Sequence, residues 1–154
     1  MPAPAIRRVV TGHNEAGLAV VALAETVKGD AVTQVWGTAE LPSNNKDDWA
    51  YGTSQPGPTV PGGSALRIVD ILPGYRSAMH RTQTIDYVLI LEGELDMELD
   101  GGQWVHLQAG DVVVQRGTNH AWENKSGRVC RLASVLIAAE PVRIGERVLE
   151  PTLR

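Results

Sequence analysis

GYRSAMHRTQTIDYVLILEG, residues 74–93, begins and ends with glycine and contains a polar row followed by an apolar run. The polar row consists of His80, Thr82, Thr84 and Asp86, at every second position. Residues two apart point to the same side of a β-strand, so these four side chains share one face if the strand pairs regularly. The segment therefore predicts a strand that presents an imidazole, two hydroxyls and a carboxyl group to one side.

A second segment, GDVVVQRGTNHAWEN at residues 110–124, also combines an apolar run with an alternating row of polar residues. A short apolar strand leads to a glycine, and His120, Trp122 and Asn124 then alternate along one face. Two polar rows of this kind can meet inside an otherwise apolar interior. Buried polar groups need partners, and a metal ion is one partner that suits imidazoles and a carboxylate.

Together the two segments resemble the paired motifs of the cupin superfamily, in particular its small single-domain members. The first cupin motif has His, His and Glu where this sequence has His80, Thr82 and Asp86, and the second motif has its last ligand at the position of His120. The resemblance implies an all-β fold, a cupin jelly roll or small antiparallel β-barrel. It also implies a metal bound inside by residues from two neighbouring hairpins.

The first motif departs from the family pattern at two ligand positions. The hydroxyl of Thr82 is a poor ligand for Fe, Mn, Ni, Co or Zn, and Asp86 is one methylene shorter than glutamate. His80, Asp86 and His120 remain as the expected metal ligands, with Asp86, Thr82 and His120 as the catalytic candidates. Two other interpretations stay open, namely a metal-free pocket in which these residues act as acid and base, and a barrel in which they only form hydrogen bonds.

Four further residues are candidates for substrate binding. Trp122 lies two positions after His120, and Thr84 belongs to the polar row of the first segment. Gln115 and Arg116 come directly before the second motif, where an amide and a cation would lie at the mouth of the barrel. Arg67 interrupts an apolar strand, so it faces either the interior or the outer surface, whereas His106 is expected to face outwards.

The rest of the chain predicts short strands separated by turns, because glycine and proline interrupt runs rich in valine, isoleucine and leucine. Ten candidate strands cover residues 6–10, 18–27, 32–38, 64–72, 85–93, 94–100, 104–108, 111–115, 120–125 and 129–138. Residues 12–17 and the Asp-Gly-Gly at 100–102 predict hairpin turns.

We divide the chain into N-terminal strands with an irregular loop (1–60), a cupin barrel (61–140) and a tail (141–154), all within one structural domain. Within the long irregular stretch at 41–63, Trp49 and Tyr51 favour a segment packed over the mouth of a pocket or a plain surface connection.

Composition excludes several classes of partner. The 154 residues carry a net charge of −4, and the basic residues form no run that would follow a nucleic-acid backbone. No apolar stretch approaches the length of a signal peptide core or a membrane span, which predicts a cytoplasmic protein. Cys130 is the only cysteine, so no disulfide forms within the chain.

The site residues predict a metal-dependent enzyme of the lyase, decarboxylase, dehydratase or isomerase type. Such a site suits a small oxygenated organic substrate, and the resemblance to small stand-alone cupins of aromatic and polyketide pathways implies an aromatic or polyketide-like molecule. The cofactor is expected to be a divalent Fe, Mn, Ni, Co or Zn ion. A non-haem Fe(II) dioxygenase and a metal-free small-molecule binding protein are the alternatives. The resemblance to cupins, whose barrels often pair through edge strands, further implies a homodimer, to which the N- and C-terminal segments could contribute.

Overall fold

The computed structural model describes residues 5–45, 57 and 59–153, and nearly all regular structure in it is β-strand. The strands, in chain order, are β1 (Ala5–His13), β2 (Ala19–Lys28), β3 (Val32–Thr38), β4 (Ser64–Ile71), β5 (His80–Arg81), β6 (Thr84–Glu92), β7 (Glu94–Leu99), β8 (Gln103–Gln108), β9 (Val112–Arg116), β10 (His120–Glu123), β11 (Cys130–Ala138), β12 (Val142–Ile144), β13 (Arg147–Leu149) and β14 (Thr152–Leu153). A single 3-10 turn lies at Asp100–Gly102, and the described part of the chain has no α-helix. The all-β prediction is confirmed.

Two five-stranded antiparallel sheets form the body of the fold. The first, called the β6 sheet, has the order β3-β4-β11-β6-β9, and the second, called the β10 sheet, has the order β14-β5-β10-β7-β8. The hairpins β1-β2 and β12-β13 form small sheets of their own. Each of the ten candidate strands overlaps a strand of the structure, and consecutive strands such as β6 and β7 lie in different sheets, as in a jelly roll.

The hydrophobic core lies between the two sheets, and alternation along the strands explains it. In β6, Val88 and Ile90 are buried, whereas Tyr87, Leu89 and Leu91 face outwards and are exposed. The core cluster takes members from both sheets, namely Ile71, Val88, Ile90, Leu95, Met97, Leu107, Cys130 and Leu132. Because the two inner faces supply these side chains together, the sheets hold each other in place.

Gly93 allows the chain to pass from one sheet to the other. It has a φ of +80°, and a Cβ atom there would lie 2.7 Å from the carbonyl oxygen of Val129. A residue with a side chain would meet both a strained backbone and a clash. The glycine that ends the first segment is therefore required by the step between β6 and β7.

The polar row of the first segment does not form one regular strand. Strand β5 ends at Arg81 and β6 begins at Thr84, so the chain leaves the β10 sheet and enters the β6 sheet between them. His80 pairs with His120 of β10, whereas Asp86 pairs with Gln115 of β9. The four residues therefore do not share one face of a single strand, as regular pairing would require. The reason is that the chain of a jelly roll passes from one sheet to the other at this point.

Outside residues 61–140, β3 extends one edge of the β6 sheet and β14 extends one edge of the β10 sheet. The division of the chain at residues 60 and 140 stays a prediction. Trp49 and Tyr51 of the long loop lie outside the described residues. No helix in the described ranges is long and apolar enough to cross a membrane.

Candidate functional site

A cavity of about 220 Å³ lies between the two sheets, and polar side chains line part of it. His80 and His120 come from the β10 sheet, Asp86 and Gln115 come from the β6 sheet, and Thr82 lies in the connection between β5 and β6. Its other walls are mainly aliphatic side chains and the indole of Trp122. Segments that are far apart in sequence thus bring parts of the two predicted polar rows together.

The two histidines lie side by side because β5 pairs with β10 at these residues. Their ring centroids are 4.1 Å apart, with the planes tilted by 56°. Nδ1 of His80 lies 2.9 Å from the Ala78 carbonyl oxygen, and Nδ1 of His120 lies 3.0 Å from that of Thr118. A carbonyl only accepts hydrogen bonds, so we assign the ring hydrogen to Nδ1 in both residues, which leaves a lone pair on each Nε2.

Gln115 connects the two sheets inside the cavity. Its side-chain amide donates to Oδ2 of Asp86 at 3.2 Å and to Nε2 of His120 at 3.0 Å. The same nitrogen also lies 2.9 Å from Nδ1 of His120, but that atom already donates to Thr118, so we take Nε2 as the acceptor. Oε1 of Gln115 and Oδ1 of Asp86 are buried without a hydrogen-bond partner among the described residues.

Burial sets the ionisation of the site. Desolvation raises the pKa of Asp86, while the nearby Thr84 hydroxyl, His80 and the Gln115 amide oppose the rise. Desolvation lowers the pKa of His120 to about 4, against the opposing hydrogen bond with Thr118. His120 is therefore neutral at pH 7, and Asp86 holds a proton more tightly than an exposed aspartate does.

The types of donor atom in this cluster suit a divalent cation, but their present arrangement does not form a metal site. Two imidazoles with lone pairs on Nε2 and a carboxylate oxygen without a hydrogen-bond partner are suitable ligands. Carbonyl partners on Nδ1 are also the usual support for histidine ligands. However, no three His, Cys, Asp or Glu residues of the described chain are grouped closely enough to hold a metal ion, and the Gln115 amide donates to both Asp86 and His120. A metal ion would require that amide to turn away.

The structure separates the remaining predicted site residues. Thr82 lines the cavity, and Thr84 is buried behind it, where its hydroxyl donates to the Thr82 hydroxyl at 2.8 Å. The Trp122 ring meets His120 edge-on, with centroids 5.5 Å apart, and also packs against the core cluster. Arg116 is exposed, because alternation in β9 turns Gln115 inwards and its neighbour outwards.

The sequence suggests a position at the barrel mouth for Gln115, whereas its role as a bridge depends on which strand lies beside β9. Arg67 lines the same cavity, which decides between the two orientations left open for it. A charged residue within an apolar strand is the signal for this position. His106 is exposed, as predicted, and its ring nitrogen lies 2.8 Å from an Asp96 carboxylate oxygen.

Comparisons with known proteins agree with this architecture. A family profile described as a cupin domain matches residues 67–136. The chain is 41% identical over 157 residues to "Phomopsin biosynthesis cluster protein C'" of Diaporthe leptostromiformis, covering 92% of this chain and 83% of that protein. It is 33% identical over 164 residues to "Cupin-domain-containing oxidoreductase virC" of Hypocrea virens, covering 94% of this chain and 84% of the relative.

A solved structure of a conserved protein with a double-stranded beta-helix domain from Klebsiella pneumoniae aligns with a TM-score of 0.46 and 24% identity, over 50% of this chain and 69% of its own. The fold and the cavity by themselves define a two-sheet all-β protein with a polar site between its layers. With the relatives and the matching family profile added, the chain belongs to the cupin family.

Proposed function

We propose that this chain is an enzyme that moves protons on a small oxygenated organic molecule, with lyase or isomerase chemistry, in the cavity between its two sheets. The observation that carries the proposal is the buried connection from Asp86 through Gln115 to His120, which borders the cavity. Acid and base groups with opposite pKa shifts in one pocket are typical of sites that transfer protons.

The aliphatic and indole walls suit a substrate with an apolar or aromatic body. A cavity of about 220 Å³ suits a small molecule rather than a polymer. One relative is named a biosynthesis cluster protein, which is consistent with a role in the synthesis of a small metabolite. We therefore infer an oxygenated, aromatic or polyketide-like intermediate as the substrate class.

Asp86, Thr82 and Trp122 have distinct roles in the proposed reaction. Oδ1 of Asp86 has no hydrogen-bond partner among the described residues, so it can accept a proton from the carbon beside a substrate carbonyl. Asp86 then returns the proton to a second atom of the substrate, which completes the rearrangement. The hydroxyl of Thr82 can donate to a substrate oxygen, and the Trp122 ring limits the position of the apolar body.

We further propose that His80, Asp86 and His120 hold a divalent metal ion, through Nε2 of each imidazole and one oxygen of the carboxylate. When bound, such an ion polarises a carbonyl or carboxylate oxygen of the substrate. Gln115 would have to turn its amide away from Asp86 and His120 to admit the ion.

Metal analysis tests this part of the proposal without any substrate. Protein purified without chelators or an affinity tag should contain one ion per chain, and His80→Ala and His120→Ala should each lose it. His106→Ala is the matched control, since His106 is exposed and outside the cavity. Folded wild-type protein that takes up no Fe, Mn, Ni, Co or Zn would refute the metal ligands.

Proton transfer can be tested by solvent deuterium exchange. Wild-type protein in D₂O should speed the exchange of the hydrogen beside the carbonyl in a panel of small keto acids and aryl ketones, followed by NMR. Asp86→Asn should slow that exchange about 10²- to 10⁴-fold, the usual size of a general acid–base contribution. Asp96→Asn is the matched control, and an Asp86→Asn variant that exchanges as fast as wild type contradicts the proposal.

A metal-free acid–base site is the second candidate, and the Gln115 bridge favours it. With the amide in its present place, neutral His120 is held next to Asp86 without any ion. If exchange persists after chelation and needs Asp86 and His120, this second candidate is correct. A non-haem Fe(II) dioxygenase is the remaining alternative, and exchange or turnover under strict exclusion of dioxygen counts against it.

We also propose that the chain forms a homodimer. The β1-β2 hairpin forms a separate two-stranded sheet, and Leu18 and Val21 on it are 64% and 62% exposed. Strands β9 and β3 are the edges of the β6 sheet, where further backbone pairing is available. Light scattering at micromolar concentration should give twice the mass of the chain, and a monomer would refute the dimer.

A further inference from the structure

Arg67 places a positive charge in the cavity, away from the cluster of Asp86 and His120. It lies on β4 with its side chain on the inner face of the β6 sheet, opposite Gln34 of β3 on one side and Ser134 of β11 on the other. Both Arg67 and Ser134 line the cavity. A half-buried guanidinium on the inner face of a mainly apolar sheet is uncommon, because it costs free energy to remove from water.

The pairing register gives the separation between Arg67 and the polar cluster. Ser134 pairs with both Arg67 and Val88, and Leu136 pairs with Asp86, two residues before Val88. Arg67 therefore lies two strands and one side-chain row from Asp86. With strands about 4.8 Å apart and about 3.3 Å per residue along a strand, the two Cα atoms are roughly 12 Å apart. Arg67 and Asp86 both line the cavity, and aliphatic side chains also line it.

The chemistry of this end of the cavity suits a carboxylate. A guanidinium presents a planar fork of N–H donors that matches the two oxygens of a carboxylate. The described hydrogen bonds of Arg67 run to Oε1 of Gln34, at 3.4 Å, and to the carbonyl oxygen of Gly57 in the long loop. These two contacts help to hold the guanidinium in position. Burial lowers the pKa of Arg67, a sign that its charge is partly withdrawn from water.

We propose that Arg67, assisted by the Ser134 hydroxyl, binds the carboxylate of a small organic acid whose opposite end reaches Asp86 and the two histidines. This assignment rests on the proposed function in that it takes the cavity as the substrate site. It makes Arg67 the residue that selects acids over their neutral analogues. Arg116, the cation suggested by the sequence, is exposed on the other face of its strand and does not line the cavity.

Isothermal titration calorimetry with three matched pairs tests the assignment: benzoate with benzamide, cinnamate with cinnamamide, and hexanoate with hexanamide. Each amide has nearly the shape of its acid and lacks the charge. A charge-assisted pair of hydrogen bonds should make at least one acid bind about 10- to 100-fold more tightly than its amide. Arg67→Gln should remove that preference and leave the affinity for the amide within about twofold.

Two further variants keep the test decisive. Arg67→Lys retains the charge but not the fork, so it should keep only part of the preference, and it serves if Arg67→Gln does not fold. Arg116→Gln is the matched control and should leave the preference unchanged. A wild-type protein with no preference in any of the three pairs overturns the assignment, and so does a preference that survives in Arg67→Gln.

A loop-holding role for Arg67 would give a different result. Loss of the Gly57 contact would weaken the acid and the amide equally, so the ratio of the two affinities would not change. The assignment is also separable from the proposed chemistry. Asp86→Asn should retain the preference for acids while it loses deuterium exchange. If the preference depends on Arg67 but exchange does not depend on Asp86, the binding assignment stands and the proposed reaction fails.

Discussion

Acid should destabilise this protein in a way that depends on His120. His120 is 3% exposed, and burial lowers the pKa of its imidazole to about 4. In the unfolded chain a histidine has a pKa of about 6.5, so protons bind the unfolded state first as the pH falls. The contribution of neutral His120 to the free energy of unfolding is therefore complete above about pH 6.5, and it is lost as the pH falls towards 4.

The size of the effect follows from the two pKa values. For a folded pKa of about 4 and an unfolded pKa of about 6.5, the linkage relation gives a loss of about 2 kcal/mol between pH 7 and pH 5. The comparison of wild type with His120→Gln isolates this amount. Asp86 titrates in both proteins, so most of its contribution cancels in the difference.

Urea unfolding followed by tryptophan fluorescence, on chelator-treated protein at pH 7, 6 and 5, is the suitable assay. The wild-type free energy of unfolding should fall by about 2 kcal/mol more than that of His120→Gln. His13→Gln is the control and should follow the wild-type curve, because His13 is exposed and outside the cavity. Equal slopes for wild type and His120→Gln, or an NMR titration of His120 with a midpoint near 6.5, would refute the reasoning.

Three other predictions concern parts of the fold away from the site. Ile90→Ala should lower the free energy of unfolding by about 2–5 kcal/mol in urea, since Ile90 is 2% exposed, whereas Leu91→Ala, at 48% exposure, should cost much less. Gly93→Ala should cost about 1–3 kcal/mol in the same assay, because its positive φ and the close Val129 carbonyl both oppose a Cβ atom; an unchanged midpoint would contradict this. The hydrogen bond that His106 donates to the Asp96 carboxylate raises the pKa of His106, so Asp96→Asn should lower that pKa in an NMR titration, and no change would exclude the pairing.

Much of the fold is predictable from local pattern. Alternation in β6 and β7 assigns inner and outer faces correctly, because a strand has a period of two whatever lies beside it. The glycines at 93 and 101 mark turns that require a positive φ. The residue spacing within the two segments is also enough to indicate the cupin family.

The arrangement within the site depends on the tertiary structure. No local pattern indicates that the chain changes sheets between Arg81 and Thr84, and this step separates Thr82, which lines the cavity, from Thr84 behind it. Nor does any pattern indicate that Gln115 joins Asp86 to His120. Local periodicity fixes the side of a strand on which a residue lies, but which strands are neighbours is decided by pairing between distant segments. The sequence by itself therefore determined the strands and their polar positions, and the packing of the two sheets decided which of those residues meet.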